Sequence, residues 1–440
     1  MISNLSIWAY GMFMRLAQPL LRRKLHKRAQ AEPLYAQFIE ERFGHYTKSE
    51  HQDWIWIHAV SLGETRTAAI LLQGLRQAMP EMKLLLTNGT ATGREEGRKL
   101  LQEGDLQVWQ PWDSPAVLDR FLSAFKPKMG LLIETEVWPL LVQRAQVHDI
   151  PLMLVNARLS EKSMRQAQRW PSLMRPAYEG LSAVCAQTQD DAIRLKNLGA
   201  KVQGIFGNLK FDAKPDEEQV ELGQSWRHRL SAPVVMLASS REGEESSWLK
   251  AWHQFATRHP GVLIHWLIVP RHPQRVNEVE SLLQAGGLSV SRRSTWGQEG
   301  PVLNTGSSSE ATKNGSVILL GDSLGEMALY FSMADAALLG GSFEKLGGQN
   351  LIEAAACACP IVMGPHTFNF SESSQAAEAA GAAQRAPDMT EALRLALETV
   401  QNRPLQEMRS QRASQFAKQH GGATQRTVLA VQALLNSTRG

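Results

Sequence analysis

Acids, bases and glycine turns sit at the ends of apolar runs in this sequence, where side chains can do chemistry. WIWIHAVSLGET ends its apolar run shortly before Glu64, which follows Gly63 at a predicted helix start. A carboxylate there can act as a general base if its surroundings tune it, or can be a first-turn acid stabilised by the helix dipole. LLIETEVWP carries Glu134 and Glu136, two residues apart. They share a face if the strand runs through both, and their directions are open if it stops at Glu134. An acid after an apolar strand is costly unless it is paired or opens into a cleft. GNLKFD places Lys210 near a domain junction. An ammonium there can offset charge on a phosphate leaving group or an acidic sugar, or can be a surface lysine.

The second half repeats the pattern. ASSREGEE follows an apolar run ending at Ala238, and VPRHPQR puts Arg271 and His272 after one ending at Val269. In GGSFEKLGGQNLIEAAA, paired glycines allow close backbone approach, and Asn350 or Gln349 can cap a helix carrying Glu353. Glu353 then suits a ribose diol or a capping role. GDSLGEMALYF after Val317–Leu320 fits G-x-S-x-G, with Ser323 as the nucleophile of a strand–turn–helix elbow. The same turn suits a phosphate cradle of free backbone N–H groups. A hydrolase would need a downstream acid and histidine, and Asp335 or Asp388 with His420 supplies them by order alone.

The elements that position these residues alternate. Trp54–Val60, Lys83–Thr87, Met129–Glu134, Pro151–Val155, Ala183–Ala186 and Val202–Phe206 read as strands separated by helix-length segments. Asp212–Ala232, charged and strand-poor, reads as an interdomain connection. Alternation restarts with Val234–Ala238, Val262–Val269, Val317–Leu320, Ala336–Leu339 and Ile361–Met363. Thr295–Ser316 reads as a Gly/Ser-rich surface loop, and Leu405–Leu435 as helical. This pattern predicts α/β architecture: two Rossmann-like domains with a cleft between them and ligands at the strand C-ends. The predicted segments are 1–28, 29–211, the 212–232 connection and 233–440, with the last helix crossing back.

Bulk properties narrow the chemistry. The chain has 440 residues, 43% hydrophobic and 20% charged, enough for two cores. A net charge of only +4 argues against a nucleic-acid partner. Arg22, Arg23, Lys24, Lys27 and Arg28 nevertheless cluster within seven residues, which suits an anionic surface or a solvated helix face. They follow Leu5–Leu21, a run broken by Arg15, Gln18 and Pro19. A span needs roughly 20 apolar residues, and a secretory leader would put its charge first. The segment therefore reads as a membrane anchor, either a short span or an interfacial helix, or as a surface helix packed on the protein. Of the three cysteines, Cys185 and Cys359 lie in apolar runs, and Cys357-Ala-Cys359 lacks zinc-site spacing. No G-x-G and no Gly-Lys pair occurs, which removes the dinucleotide fingerprint and a standard Walker A loop. No cofactor and no metal are expected.

Taken in order, HAVSLGET, ETEVWP, NARLS, GNLKFD, VPRHP, GDSLGE, GGSFEKLGGQN and GPHTFNF resemble the 3-deoxy-D-manno-octulosonic acid (Kdo) transferases of Gram-negative bacteria, from about Arg42 to the C-terminal helix. The resemblance implies an inverting, metal-independent glycosyltransferase of GT-B fold. It would move Kdo from CMP-Kdo to a lipid A precursor (lipid IVA) at the cytoplasmic face of the inner membrane, anchored there among anionic lipids. It implies Glu64 as base, Glu134 and Lys210 as transition-state stabilisers, and Arg271 and His272 as CMP contacts. Leu324, Gly325 and Glu326 would hold the nucleotide, and Asn350, Leu351, Ile352 and Glu353 its ribose and phosphate. Three positions depart from the family pattern: Arg241 stands where a histidine is usual, Asn88-Gly89 where threonine and a variable residue are, and Leu140 where an asparagine is. The competing classes are a membrane-tethered nucleotide-sugar binding protein, a Ser323 hydrolase, and an epimerase of the same fold.

Overall fold

The computed structural model describes residues 2–47, 52–301 and 318–437. The chain forms two units, one of residues 1–212 and 421–440, the other of residues 213–420.

The first unit is built on a seven-stranded parallel sheet. Its strands are β1 (Trp54–His58), β2 (Lys83–Asn88), β3 (Leu106–Trp109), β4 (Met129–Ile133), β5 (Leu152–Ala157), β6 (Ala183–Ala186) and β7 (Val202–Ile205), in the order β3-β2-β1-β4-β5-β6-β7. Strand side chains alternate between faces, and β1 shows why both faces must be covered. Trp54 and Trp56 enter one core with Phe121 and Phe125 of the helix Pro115–Phe125. Ile55 and Ile57 enter the other with Leu71 and Leu75 of the helix Leu62–Ala78. Full burial of such side chains stabilises by roughly 1.5–3 kcal/mol each. The helix Ala423–Ser437 returns to this second face, adding Val428 and Val431. A Cβ at Gly74 would lie 2.6 Å from Thr424 Cγ2, so a glycine lets the two helices approach. The Asp212 carboxylate accepts from the N–H groups of Gly422 and Thr424, fixing the start of the returning helix.

The second unit repeats the layering with β8 (Val234–Ser240), β9 (His265–Pro270), β10 (Val290–Arg292), β11 (Ile318–Leu320), β12 (Ala336–Leu339), β13 (Ile361–Met363) and β14 (Ala383–Arg385). The order is β10-β11-β9-β8-β12-β13-β14, all parallel. Trp248, Trp252 and Trp266 anchor one face of its core.

Three edge or near-edge strands, β3, β10 and β14, were not expected from the sequence. They are three or four residues long and mix polar with apolar side chains, so they carry little periodic signal. The stretch read as an interdomain connection is mostly a helix, Glu217–Arg229, that belongs to the second unit. Trp226 is buried, its indole N–H donating 2.9 Å to the Gln298 carbonyl. Gly223 lies so close to Leu329 that a Cβ would be 2.3 Å from its carbonyl oxygen. A charged outer face hid this packed inner one. Of the predicted Gly/Ser-rich loop, 302–316 lies outside the described residues.

The N-terminal segment forms two helices, Ile2–Leu16 and Gln18–Ala29, and no helix among the described residues is long and apolar enough to cross a membrane. The segment is docked on the first unit. Tyr10 Oη donates to Asp113 Oδ2 at 2.9 Å, Trp112 Nε1 donates to the Met14 carbonyl at 3.0 Å, and Met14 is buried. Leu5, Trp8, Phe13, Leu16 and Leu20 remain exposed at helical spacing.

Candidate active site

In the first unit, neighbouring strands part company in sequence at β1 and β4, the topological switch point where ligands of open α/β sheets bind. The chain places three acids there. Glu64 occupies the first turn of the helix after β1 in a capping box: Ser61 N–H donates 2.7 Å to Glu64 Oε2, and Glu64 N–H donates 3.3 Å to Ser61 Oγ. Glu134 comes directly after β4, which stops at Ile133, so Glu134 and Glu136 do not continue one strand face. Glu134 has φ of +61°, a left-handed conformation uncommon for a side chain of this size, and its N–H is held 3.0 Å from the Val155 carbonyl.

The Glu134 carboxylate is buried but matched. Lys210 Nζ lies 3.2 Å from Oε1 and Arg158 Nε 3.2 Å from Oε2, and Thr67 Oγ1 donates to Oε1 at 3.3 Å. Lys210 is presented by a turn after β7 that is pinned to β5, because Asn156 Oδ1 accepts from the Leu209 N–H at 2.9 Å. The structure thus joins Glu64, Glu134 and Lys210 in one cluster. It adds two residues that the sequence left unassigned, Glu136 and Arg158. Arg158 lies within the NARLS motif, and a basic residue just past a strand end is the signal that could have found it.

Glu136 accepts from Trp138 Nε1 at 2.7 Å. Burial, and then the nearby Glu64 carboxylate with which it hydrogen-bonds, push its pKa up to about 7. Burial likewise raises Glu64, with the charge of Glu134 adding to it and the Ser61 backbone N–H opposing it. Two carboxyls in contact cannot both ionise cheaply, so the pair shares a proton near neutral pH. The arrangement can take a proton from a hydroxyl brought to Glu64, while the cations around Glu134 stabilise negative charge.

In the second unit, four adjacent strands, β11-β9-β8-β12, end in the loops singled out by sequence. After β9, Arg271 and His272 are exposed, and the Arg271 N–H donates 2.9 Å to the Ser240 carbonyl. After β11, Leu324 and Gly325 are exposed, Gly325 with φ of +82°, and Glu326 accepts from Arg293 Nη2 at 2.8 Å. After β12, Asn350 Oδ1 accepts from the Ile352 N–H at 3.1 Å, and Glu353 is exposed. Leu351 and Ile352 are buried, so any contribution from them is through the backbone.

Sequence reasoning passed over the acids that brace these loops. Buried Glu244 accepts from the N–H groups of Gly341 at 2.7 Å, Phe343 at 3.0 Å and Arg241 at 2.9 Å, tying the β8 loop to the β12 loop. Buried Glu245 is gripped by Arg275 Nη1 at 2.8 Å and by Ser240 Oγ at 2.8 Å. The Arg241 side chain, at the unusual position, pairs with Glu242 at 3.0 Å.

The hydrolase alternative loses its triad. The Ser323 hydroxyl is bound to Glu326 and Tyr330, with no histidine among its hydrogen-bond partners. Asp335 accepts from Arg227 and Gln406, Asp388 caps its helix through the Glu391 N–H, and His420 Nδ1 meets the Phe416 carbonyl. Each candidate is committed to a different local structure. Among the described residues, no group of three His, Cys, Asp or Glu side chains has metal-site geometry.

Comparison with known proteins identifies the family. Residues 37–213 match the family described as 3-deoxy-D-manno-octulosonic-acid transferase (kdotransferase). A 3-deoxy-D-manno-octulosonic acid transferase of Bordetella pertussis is 43% identical over 389 residues, 86% of this chain and 86% of that protein. Among solved structures, a glycosyltransferase from Rickettsia africae matches with a TM-score of 0.55 at 12% identity, over 89% of this chain and 99% of that one. A UDP-GlcNAc 2-epimerase from Neisseria meningitidis matches at 0.56 and 16% identity, over 87% and 100%. These two show the fold alone, a paired-sheet architecture of GT-B type that serves more than one chemistry. The identity shared with the Bordetella protein, spanning most of both chains, decides among those chemistries: this chain belongs to the Kdo transferase family and is a glycosyltransferase.

Proposed function

We propose that this protein transfers Kdo from CMP-Kdo, with inversion, to a hydroxyl of a lipid A precursor (lipid IVA) in lipopolysaccharide synthesis. The observation that carries the reading is the Glu64 carboxyl at the switch point of the first unit, raised in pKa and in contact with Glu136, beside a Glu134–Lys210–Arg158 ion cluster. Glu64 takes the proton of the acceptor hydroxyl as that oxygen bonds to the anomeric carbon. The bond from that carbon to the phosphate oxygen breaks, and its electron pair leaves with CMP. A single displacement of this kind inverts the centre. Lys210 and Arg158 stabilise the negative charge of the acidic sugar and the departing phosphate, so the charge relief is assigned to protein cations. The loops after β8, β9, β11 and β12 bind the nucleotide.

The exposed Leu5, Trp8, Phe13, Leu16 and Leu20 face and the basic residues that follow support an interfacial position on anionic lipids of the inner membrane, at its cytoplasmic face. Purified protein, CMP-Kdo and a tetra-acylated lipid A precursor should give a product heavier by Kdo in mass spectrometry, with one CMP released per sugar. CMP-Kdo binding without product would leave a nucleotide-sugar binding protein instead. Leu16→Glu with Leu20→Glu should release the protein from anionic vesicles while leaving its thermal unfolding intact; retention on the vesicles would sink the interfacial reading.

A further inference from the structure

A small cavity of about 150 Å³ lies in the first unit where the second N-terminal helix meets the loops after β2 and β3. Lys24, Arg28 and Arg42 line it together with Gly89, Gln110 and Trp138, and no carboxylate lines it among the described residues. Like charges gathered without a counter-charge are costly unless a ligand supplies one.

Arg42 makes the case specific. It is only 7% exposed, with its guanidinium 4.0 Å over the Trp109 ring. Nη2 donates 2.9 Å to the Gly89 carbonyl, but Nε is buried without a hydrogen-bond partner. Burial lowers its pKa to about 10, which still leaves it charged at neutral pH. The neighbouring acids are committed elsewhere, Glu41 to Arg94 at 2.9 Å and Glu40 to Arg22. A guanidinium fixed by its carbonyl and ring contacts in the cavity wall, flanked by two exposed cations, suits a compact multivalent anion such as phosphate.

The far wall of the cavity joins it to the chemistry. Trp138 lines it and donates through Nε1 to Glu136, the partner of Glu64. The near wall is the helix Gln18–Ala29, which also carries the exposed Leu20.

We propose that this cavity binds a phosphate group on the sugar headgroup of the lipid acceptor, and so sets which acceptor hydroxyl reaches Glu64. The inference rests on the transferase reading above and adds the acceptor-recognition site to it. A phosphate there could also belong to a bulk phospholipid, and the experiment separates the two sources.

Full-length protein carrying Lys24→Ala and Arg28→Ala, both exposed and away from the core, is compared with wild type using detergent-dispersed acceptors that carry or lack the headgroup phosphates, at saturating CMP-Kdo. The ratio of kcat/KM for phosphorylated over phosphate-free acceptor should fall about tenfold, through acceptor KM, on loss of charge-assisted contacts of this type. An unchanged ratio, or equal losses on both acceptors, overturns the proposal. Acceptor binding to a Glu64→Gln background, followed by the fluorescence of Trp112 and Trp138, reports the site without turnover. If wild type transfers no Kdo, the transferase reading fails, while weaker binding in this arm still supports the phosphate site. Phosphatidylglycerol vesicles are the last arm: a drop in vesicle binding matching the drop in acceptor binding would assign the cations to the membrane surface and overturn the proposal.

Discussion

The two units place a glutamate at the same topological position and surround it differently. Glu64 follows β1 at the start of its helix, and Glu244 follows β8 at the start of its own. Both are largely buried and both are raised by that burial. Glu244 spends its two oxygens on three backbone N–H groups and so serves as a brace. Glu64 accepts from the Ser61 N–H through Oε2, with the Val60 backbone and the Ser61 hydroxyl also close, and it meets a second carboxyl, Glu136. A carboxylate tied down by three backbone N–H groups cannot receive a substrate proton at low cost, whereas one crowded by two other acids gains by taking one. Position in the fold therefore does not decide what such an acid can do; its neighbours do, and on the proposed reading they make Glu64 a base and Glu244 a brace.

The largest expected effect breaks this comparison if it fails. Glu64→Gln should lower kcat for Kdo transfer by about 10²–10⁴-fold. Thermal unfolding should barely move, because glutamine can keep the capping box. Normal turnover in a folded Glu64→Gln protein would reduce Glu64 to the same role as Glu244. Glu244→Leu should do the reverse. It strips partners from three backbone donors, each costing about 1–3 kcal/mol when left buried, so urea unfolding should show a loss of roughly 3 kcal/mol or more, with weakened CMP binding. A stable variant with intact CMP affinity would mean the loops do not need their brace.

The pH dependence sharpens the contrast. Transfer should be lost as pH falls through the raised pKa of Glu64, above the ordinary carboxylate range, because the base must be unprotonated. Trp138→Phe removes a donor that favours the Glu136 carboxylate, so the acidic limb of kcat/KM should move to higher pH. Stability runs the other way. The folded Glu136 carboxyl holds a proton that the unfolded chain releases near 4.5, so its contribution is most favourable at low pH and is lost as pH rises through about 7. Glu136→Gln should flatten that slope in unfolding measured from pH 5 to 8. The smallest effect is expected at Ser323→Ala: about 1 kcal/mol of stability from its bonds to Glu326 and Tyr330, and no more than about a twofold change in Kdo transfer. Labelling of Ser323 by a serine-reactive phosphonate would reopen the hydrolase reading.

Much of this was legible in sequence because parallel strands covered on both faces read as apolar runs with polar loops at their ends. The central strands carry that pattern, and Glu64, Glu134 and Lys210 stand at such ends. Segments with one hidden face were harder. The helix Glu217–Arg229 looked like a connection because its charged side outnumbers the contacts of Trp226 and Gly223. The N-terminal run is divided between two faces that the sequence could not apportion: Tyr10 and Met14 meet the first unit, while Trp8 and Phe13 stay exposed.

The sequence by itself determined the layered α/β architecture, the strand-end positions of the candidate residues and the family resemblance, since all three follow from local periodicity and motif order. Only the tertiary structure decided which acids are partners. Glu136, Arg158 and Thr67 reach Glu134 or Glu64 from separate elements, and Arg42, Lys24 and Arg28 gather from a turn and a helix. Hydrogen bonds and desolvation act over a few ångströms of space, and spacing along the chain carries no record of which distant residues come within that range.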